Sequence, residues 1–175
     1  MKDTFRRAGP ADAEAIAALV NSAYRGDSSR AGWTTEADLL GGQRTDAEGI
    51  AQLVAREGSA LLMCLRVGEL IGSAHVERVD DATAYLGMLV IRPVLQGQGL
   101  GRSLMNEAER FVRAEWGAEC IQMQVITLRH ELIEWYERRG YWRTGETRPF
   151  PASDPRFGLP KVEGLQFEVL EKFLG

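Results

Sequence analysis

Gly97, Gly99 and Gly101 alternate with other residues in "LVIRPVLQGQGLGRSL", between an apolar run that breaks at Arg92-Pro93 and a helix-like pattern. The chemistry open to such a turn is anion binding. Backbone N–H groups at a helix N-terminus lack intrahelical partners, and the helix dipole favours negative charge beside them. Glycine carries no Cβ, so a phosphate can come close to the backbone. Residues 96–102 therefore read as a pyrophosphate cradle, set against a plainer reading as a tightly packed connector. A P-loop ends in Gly-Lys-Ser/Thr, whereas Gly101 is followed by Arg102-Ser103. A dinucleotide fingerprint is met at Gly97 and Gly99 but has Arg102 in its third place. That fingerprint also opens a βαβ unit, and this turn follows a meander.

The elements that must hold the turn can be read from period and punctuation. "GPADAEAIAALVNSAY" predicts a first helix, with Asp12 as N-cap and Ile16, Leu19, Val20 and Ala23 on one face. Asp46 is placed to cap a second helix carrying Ile50, Leu53 and Val54. The period then changes. "SALLMCLRV" and "LIGSAHVERV" predict strands joined at Gly68-Glu69, and "TAYLGMLVI" a third strand after Asp80-Asp81. A helix from about Arg102 follows, then the strand "CIQMQVI" and the short helix "HELIEWYERRG", ended by Gly140. "YWRTGETRPF" and "LQFEVLEKFL" predict two closing strands. The order gives a mixed α/β (α+β) domain rather than a regular doubly wound one.

Two motifs in this order resemble the GNAT N-acetyltransferase family. "LVIRPVLQGQGLGRSLM" is similar to its acyl-CoA motif, and "LIEWYERRGYWRTGE" to its later aromatic-Tyr-Glu stretch. The resemblance spans nearly the whole chain. It implies one N-acetyltransferase domain over residues 1–175, with a central, mostly antiparallel sheet flanked by helices. That sheet is splayed between the strand at about 84–91 and the strand at about 120–126. It implies that backbone amides of Gln96, Gly97, Gln98, Gly99, Leu100, Gly101 and Arg102 bind the CoA pyrophosphate. A bulge in the preceding strand would free amides and carbonyls at Leu89 and Ile91 for the pantetheine arm, with the Leu89 N–H polarising the thioester carbonyl. Tyr136 matches the tyrosine that protonates the departing thiolate; the plainer reading is an aromatic on the apolar face of its helix. Where many relatives carry an asparagine about two turns earlier, this chain has Arg129 or its neighbours. Where some carry a glutamate base on the strand before the glycines, it has Tyr85, a poor base near neutrality.

A base matters because an alkylamine like that of lysine has a pKa near 10.4, so about one in a thousand is neutral near pH 7.4. Only the neutral amine attacks a thioester. Glu36, Glu77 and His75 are the candidates. His75 and Glu77 share a strand face, and Glu36 lies in "GWTTEADLL", between the first helices, with Trp33 as a lid or packing aromatic.

The remaining composition bounds the partners. The chain has 175 residues, 45% apolar, and a net charge of −4, which disfavours nucleic-acid or membrane-surface binding. It has no signal-peptide core or membrane-length apolar run, so a cytoplasmic location is expected. Cys64 and Cys120 sit in strand-like runs and read as buried thiols, and His75 and His130 lack partners at metal-ligand spacing. The resulting expectation is an acetyl-CoA-dependent N-acetyltransferase without a metal, acting on a small-molecule or peptide primary amine as a monomer or homodimer. The acidic balance leans the acceptor towards a cationic amine or basic peptide. A non-catalytic acyl-CoA-binding module on the same fold, and a nucleotide-binding regulatory domain, are the rival readings.

Overall fold

Alternating apolar residues and tight turns build the sheet first. In a computed structural model, which describes residues 2–25, 29–30, 32, 35–151 and 158–175, the meander is β3 (Ser59–Arg66), β4 (Glu69–Arg78) and β5 (Thr83–Ile91). Val67 and Gly68 both take positive φ, 50° and 78°, which is the twist a two-residue hairpin needs. β1 (Thr4–Arg7) adds antiparallel to β3. β6 (Cys120–Ile126) runs parallel to β5, and β9 (Gln166–Phe173) and β7 (Trp142–Pro149) continue antiparallel. The order β1-β3-β4-β5-β6-β9-β7 makes one seven-stranded, mostly antiparallel sheet. A short pair, β2 (Leu40–Gly41) with β8 (Leu159–Pro160), stands apart.

Helices cover both faces. α1 (Ala13–Tyr24) and α2 (Ala47–Ala55) bury Ile16, Val20, Ala23 and Ile50 against Leu61, Met63 and Val90. α3 (Leu100–Trp116) and α4 (His130–Glu137) bury Leu104, Ala108, Val112 and Ile133 against Leu62, Val76, Leu86 and Ile121. Asp46 caps α2 as expected, accepting from the Gly49 N–H at 2.7 Å. Asp12 does not cap α1. Its carboxylate accepts instead from the Gly9 N–H and from the Arg6 guanidinium, so it fixes the 3-10 turn over Pro10–Asp12. α3 begins at Leu100, two residues before the sequence expectation, because Gly99 in the left-handed region already serves as its N-cap.

Candidate active site

β5 and β6 pair only over Thr83↔Cys120, Ala84↔Ile121 and Tyr85↔Gln122. Beyond Tyr85 the sheet splits. β6 stays with β9 as far as Ile126↔Phe167, while β5 stays with β4. The β4–β5 register then shifts: Ser73 faces Val90 and His75 faces Gly87, so two steps on β4 span three on β5. This is the expected bulge, and Met88 carries it at φ 47°, an uncommon place for a non-glycine residue. The extra residue flips side-chain parity. Leu89 and Ile91 join Leu86 on the α3 face, and Met88 and Val90 turn towards α1.

Met88 and Leu89 have no register partner on β4, and both lie past the last β5–β6 pair at Tyr85↔Gln122. The carbonyls are not free in the way the sequence suggested. The Tyr24 hydroxyl donates to the Leu89 oxygen at 2.8 Å, and Gln96 Nε2 donates to the Ile91 oxygen at 3.0 Å. Both bonds brace the bulged strand. Tyr24, the last residue of α1, was not singled out from the sequence because it continues an apolar helix face.

One cavity of about 530 Å³ lies on the α3 side of the split. Gln96, Gly97, Gly99, Gly101 and Arg102 line it. Gly97 and Gly99 have φ of 85° and 81°, and a Cβ on either would meet no protein atom within 4 Å. The space above them is therefore open to a ligand, and the backbone angle itself selects glycine. No side chain caps α3 and no acid lies in its first turn, so its N-terminal amides remain available to an anion. Gln98 and Leu100 contribute no side chain to the cavity: Gln98 is exposed, and Leu100 is buried in the core.

Across the same cavity stand Arg138 and Arg139, just past α4. Arg139 stacks on the Trp135 ring, 3.8 Å from its centroid, and donates to the Trp135 carbonyl at 2.9 Å. Its Nε is buried without a hydrogen-bond partner among the described residues. Burial, then the charges of Arg138 and Arg102, pull its pKa below the usual arginine value. Three guanidiniums crowded in this way are relieved by a polyanion. Glu131 and Glu134 on α4, about two turns and one turn before Arg138, line the same cavity. Sequence reading missed this basic cluster, whose one trace was the doublet in "WYERRGY".

A second cavity, of about 490 Å³, lies on the other side of the split. Its floor is Tyr85, Gly87, Met88 and the outward side of β6, and its walls include Phe150 and Phe167. A side chain at position 87 would meet the Tyr85 ring at 2.7 Å, so glycine there lets the ring lie across the strand. Burial raises the Tyr85 pKa further, so this phenol stays protonated.

The base candidates separate clearly. Glu36 is buried in the wall of the second cavity, where Arg25 donates to it at 2.8 Å and Arg129 at 3.2 Å. Each carboxylate oxygen of Glu36 accepts from one guanidinium, Oε1 from Arg25 and Oε2 from Arg129. Arg129 thus fills its helix-start place as a buried partner of Glu36, with side-chain exposure of 8%. Glu77 shares the strand face of its register partner Tyr85, which lines the second cavity, but Glu77 itself lines neither cavity and pairs with Arg56 at 2.6 Å. His75 is buried against Ser59, with its Nε2 at 2.9 Å from the hydroxyl, and also lines neither cavity. Desolvation lowers its pKa to about 4. Trp33 lies outside the described residues.

Four described residues line both cavities: Tyr24, Leu89, Leu132 and Tyr136. Tyr136 is buried, packs edge-on against Trp135 and Tyr141, and makes no side-chain hydrogen bond with the described residues. Burial raises its pKa above the ordinary tyrosine value, which keeps its proton in place.

A sheet split beside a bulged strand, with an uncapped helix start and a basic cluster lining one cavity, matches the fold that the two sequence motifs imply. The chain belongs to the acetyltransferase (GNAT) family, whose sequence model matches residues 14–141. That family uses acetyl-CoA, and the glycine turn and arginine cluster fit its phosphates.

Solved structures share the fold. The ribosomal-protein-S18-alanine N-acetyltransferase from Escherichia coli superposes with a TM-score of 0.72 at 17% identity, covering 99% of this chain and 95% of that one. The Salmonella typhimurium protein yncA, described as an acetyltransferase and solved with its cofactor acetyl-CoA, has a TM-score of 0.70 at 22% identity, covering 99% and 94%. The spermidine/spermine N-acetyltransferase SpeG from Vibrio cholerae has a TM-score of 0.69 at 15% identity, covering 99% and 93%. No curated protein matches the chain. No helix among the described residues is long and apolar enough to cross a membrane.

Proposed function

We propose that the chain is one N-acetyltransferase domain that moves the acetyl group of acetyl-CoA onto a primary amine by direct attack. The observation that carries this reading is the meeting of two cavities at Tyr24, Leu89, Leu132 and Tyr136. A module that only sensed acyl-CoA would need the first cavity and not the second.

Residues 96–102 and Arg138–Arg139 hold the donor's phosphates, and the strand edge at Leu89 and Ile91 guides its arm towards the split. The neutral amine, bound in the second cavity, attacks the thioester carbon. An N–C bond forms, and the carbonyl pair moves onto oxygen beside the Leu89 N–H. A preorganised backbone donor at that point stabilises developing charge. Tyr24, donating to the Leu89 carbonyl, fixes the following peptide, Leu89–Val90, and so braces the bulged strand. The C–S bond then breaks, and Tyr136 gives its proton to the sulfur and recovers one from solvent. The proton lost by the amine leaves through water. Glu36 anchors Arg25 and Arg129 rather than acting as base.

The test is release of free CoA thiol from acetyl-CoA with a panel of amines, with product mass confirming an acetyl gain. Acetyl-CoA binding without amine-dependent thiol release would overturn the catalytic reading and leave the binding module.

A further inference from the structure

The protein is acidic overall, with net charge −4, yet the described lining of the second cavity carries Arg25, Arg44, Arg129 and Arg148 against Glu36 alone. Charge of one sign gathered in a low-dielectric cleft sets the local field regardless of the total. Arg25 and Arg129 are spent on Glu36. Arg148 is half exposed at the rim and holds Glu146 at 3.1 Å. Arg44 is different. Its side chain makes no hydrogen bond or ion pair with any described residue, although it lines the cavity and is half-buried.

The backbone beneath Arg44 is held firmly. Asn21 Oδ1 accepts from the Arg44 N–H at 2.6 Å and from the Thr45 N–H at 3.1 Å, and Asn21 Nδ2 donates to the Thr45 carbonyl at 2.9 Å. Arg25 Nη1 donates to the Gln43 carbonyl at 2.8 Å. Four hydrogen bonds thus fix a short loop that delivers a guanidinium, unpaired among the described residues, into a cavity. Arg44, in the loop before α2, and Arg148, on β7, line this cavity together with Tyr85, so the two arginines reach it from different elements.

We propose that the acceptor amine carries an anionic oxyacid group, a carboxylate or a phosphonate, which binds Arg44 with Arg148 beside it at the Tyr85 end of the second cavity. This rests on reading that cavity as the acceptor site. The guanidinium fork matches two oxygens of such a group at once. The amine then points to Leu89 and Tyr136, and Phe150, Phe167 and Met123 take the apolar body between. A polyamine would bring further positive charge to four guanidiniums. The proposal thus sets where the charges lie against the cationic acceptor that net charge alone would suit.

The experiment compares α-amino acids, ω-amino acids and aminoalkylphosphonates, each carboxylate beside its carboxamide, with spermidine as the cationic probe. Thiol release gives kcat/KM for each. At least one oxyanion acceptor should exceed its neutral counterpart by about tenfold or more, the worth of one charged hydrogen-bonded pair. Arg44→Gln should raise the KM of that acceptor about tenfold, remove the preference and leave the KM of acetyl-CoA unchanged. Arg44→Lys should restore part of it. Spermidine or a carboxamide as the best acceptor, or a preference that survives Arg44→Gln, would overturn the proposal. If no amine is turned over, calorimetry with the same pairs in the presence of CoA decides the matter. Oxyanion-selective binding lost in Arg44→Gln upholds the anion site while the catalytic reading fails; binding without selectivity overturns the site.

Discussion

The two cavities that meet at Tyr136 are built from different materials. The α3 side is built largely of backbone: two glycines at positive φ, an uncapped helix start and a strand edge beside a bulge. The other side is built of side chains from five separate places, at Arg25, Glu36, Arg44, Arg129 and Arg148. The contrast shows how one fold can keep its donor and change its acceptor. Backbone geometry tolerates sequence drift everywhere except at the glycines, while a side-chain cavity can be rewritten one residue at a time.

The contrast breaks most severely at Glu36. Gln in its place removes the counter-charge beside the Arg25 guanidinium, with side-chain exposure of 2%, and the ion pair between Glu36 and Arg129. Breaking a buried pair in this way costs about 3–5 kcal/mol, so Glu36→Gln should lower the unfolding free energy in urea by an amount of that order. A loss below about 1 kcal/mol, the range of exposed pairs, would show that the triad is solvated.

Gly99→Val should weaken acetyl-CoA binding about a hundredfold, near 2.7 kcal/mol, because the side chain enters the phosphate space and resists the left-handed angle. The circular dichroism should stay native-like, since a Cβ there touches no protein atom. Unchanged affinity by calorimetry would remove the glycine turn from the donor site.

His75 gives a pH test of a buried group that neither cavity uses. Burial lowers its folded pKa to about 4, from the ordinary histidine value of 6.5. The unfolded chain therefore binds the extra proton between those values, and stability falls as pH drops through that window. The full loss is on the order of 3 kcal/mol. His75→Gln should flatten the stability profile between pH 6.5 and 4, and an identical slope in wild type and variant would contradict this. Arg139→Ala should have the smallest effect, raising the Kd for CoA about five- to tenfold through loss of one charged donor and its stack on Trp135. Dephospho-CoA should show whether the 3′-phosphate is the group involved.

The same difference in material explains what the sequence disclosed. Glycine spacing after a strand is a local signal, so the cradle, the helix it opens and the three-strand meander could all be read from short windows. The split between β5 and β6 followed from resemblance, and the bulge at Met88 has no residue signature of its own. Arg44 and Arg148 carry no motif and are 104 positions apart; only the fold joins them. Glu77 shares the face of Tyr85, but strand parity does not say how far along a strand a cleft extends or which acid an ion pair occupies. β1 was missed because "TFRR" is an edge strand with three exposed residues and one half-buried one, which leaves no apolar period to detect.

The most direct test of the meeting point is Tyr136→Phe, assayed for kcat and for acetyl-CoA affinity on the same preparation. The ring and its packing against Trp135 and Tyr141 remain, and the hydroxyl takes part in no protein hydrogen bond among the described residues, so folding should be unaffected. A general acid contributes about 10²–10⁴-fold, less where water can replace it. The predicted result is a kcat lowered at least about tenfold with acetyl-CoA affinity within about twofold of wild type. A wild-type kcat in the Phe variant would contradict the account and leave Tyr136 as a packing aromatic between two cavities.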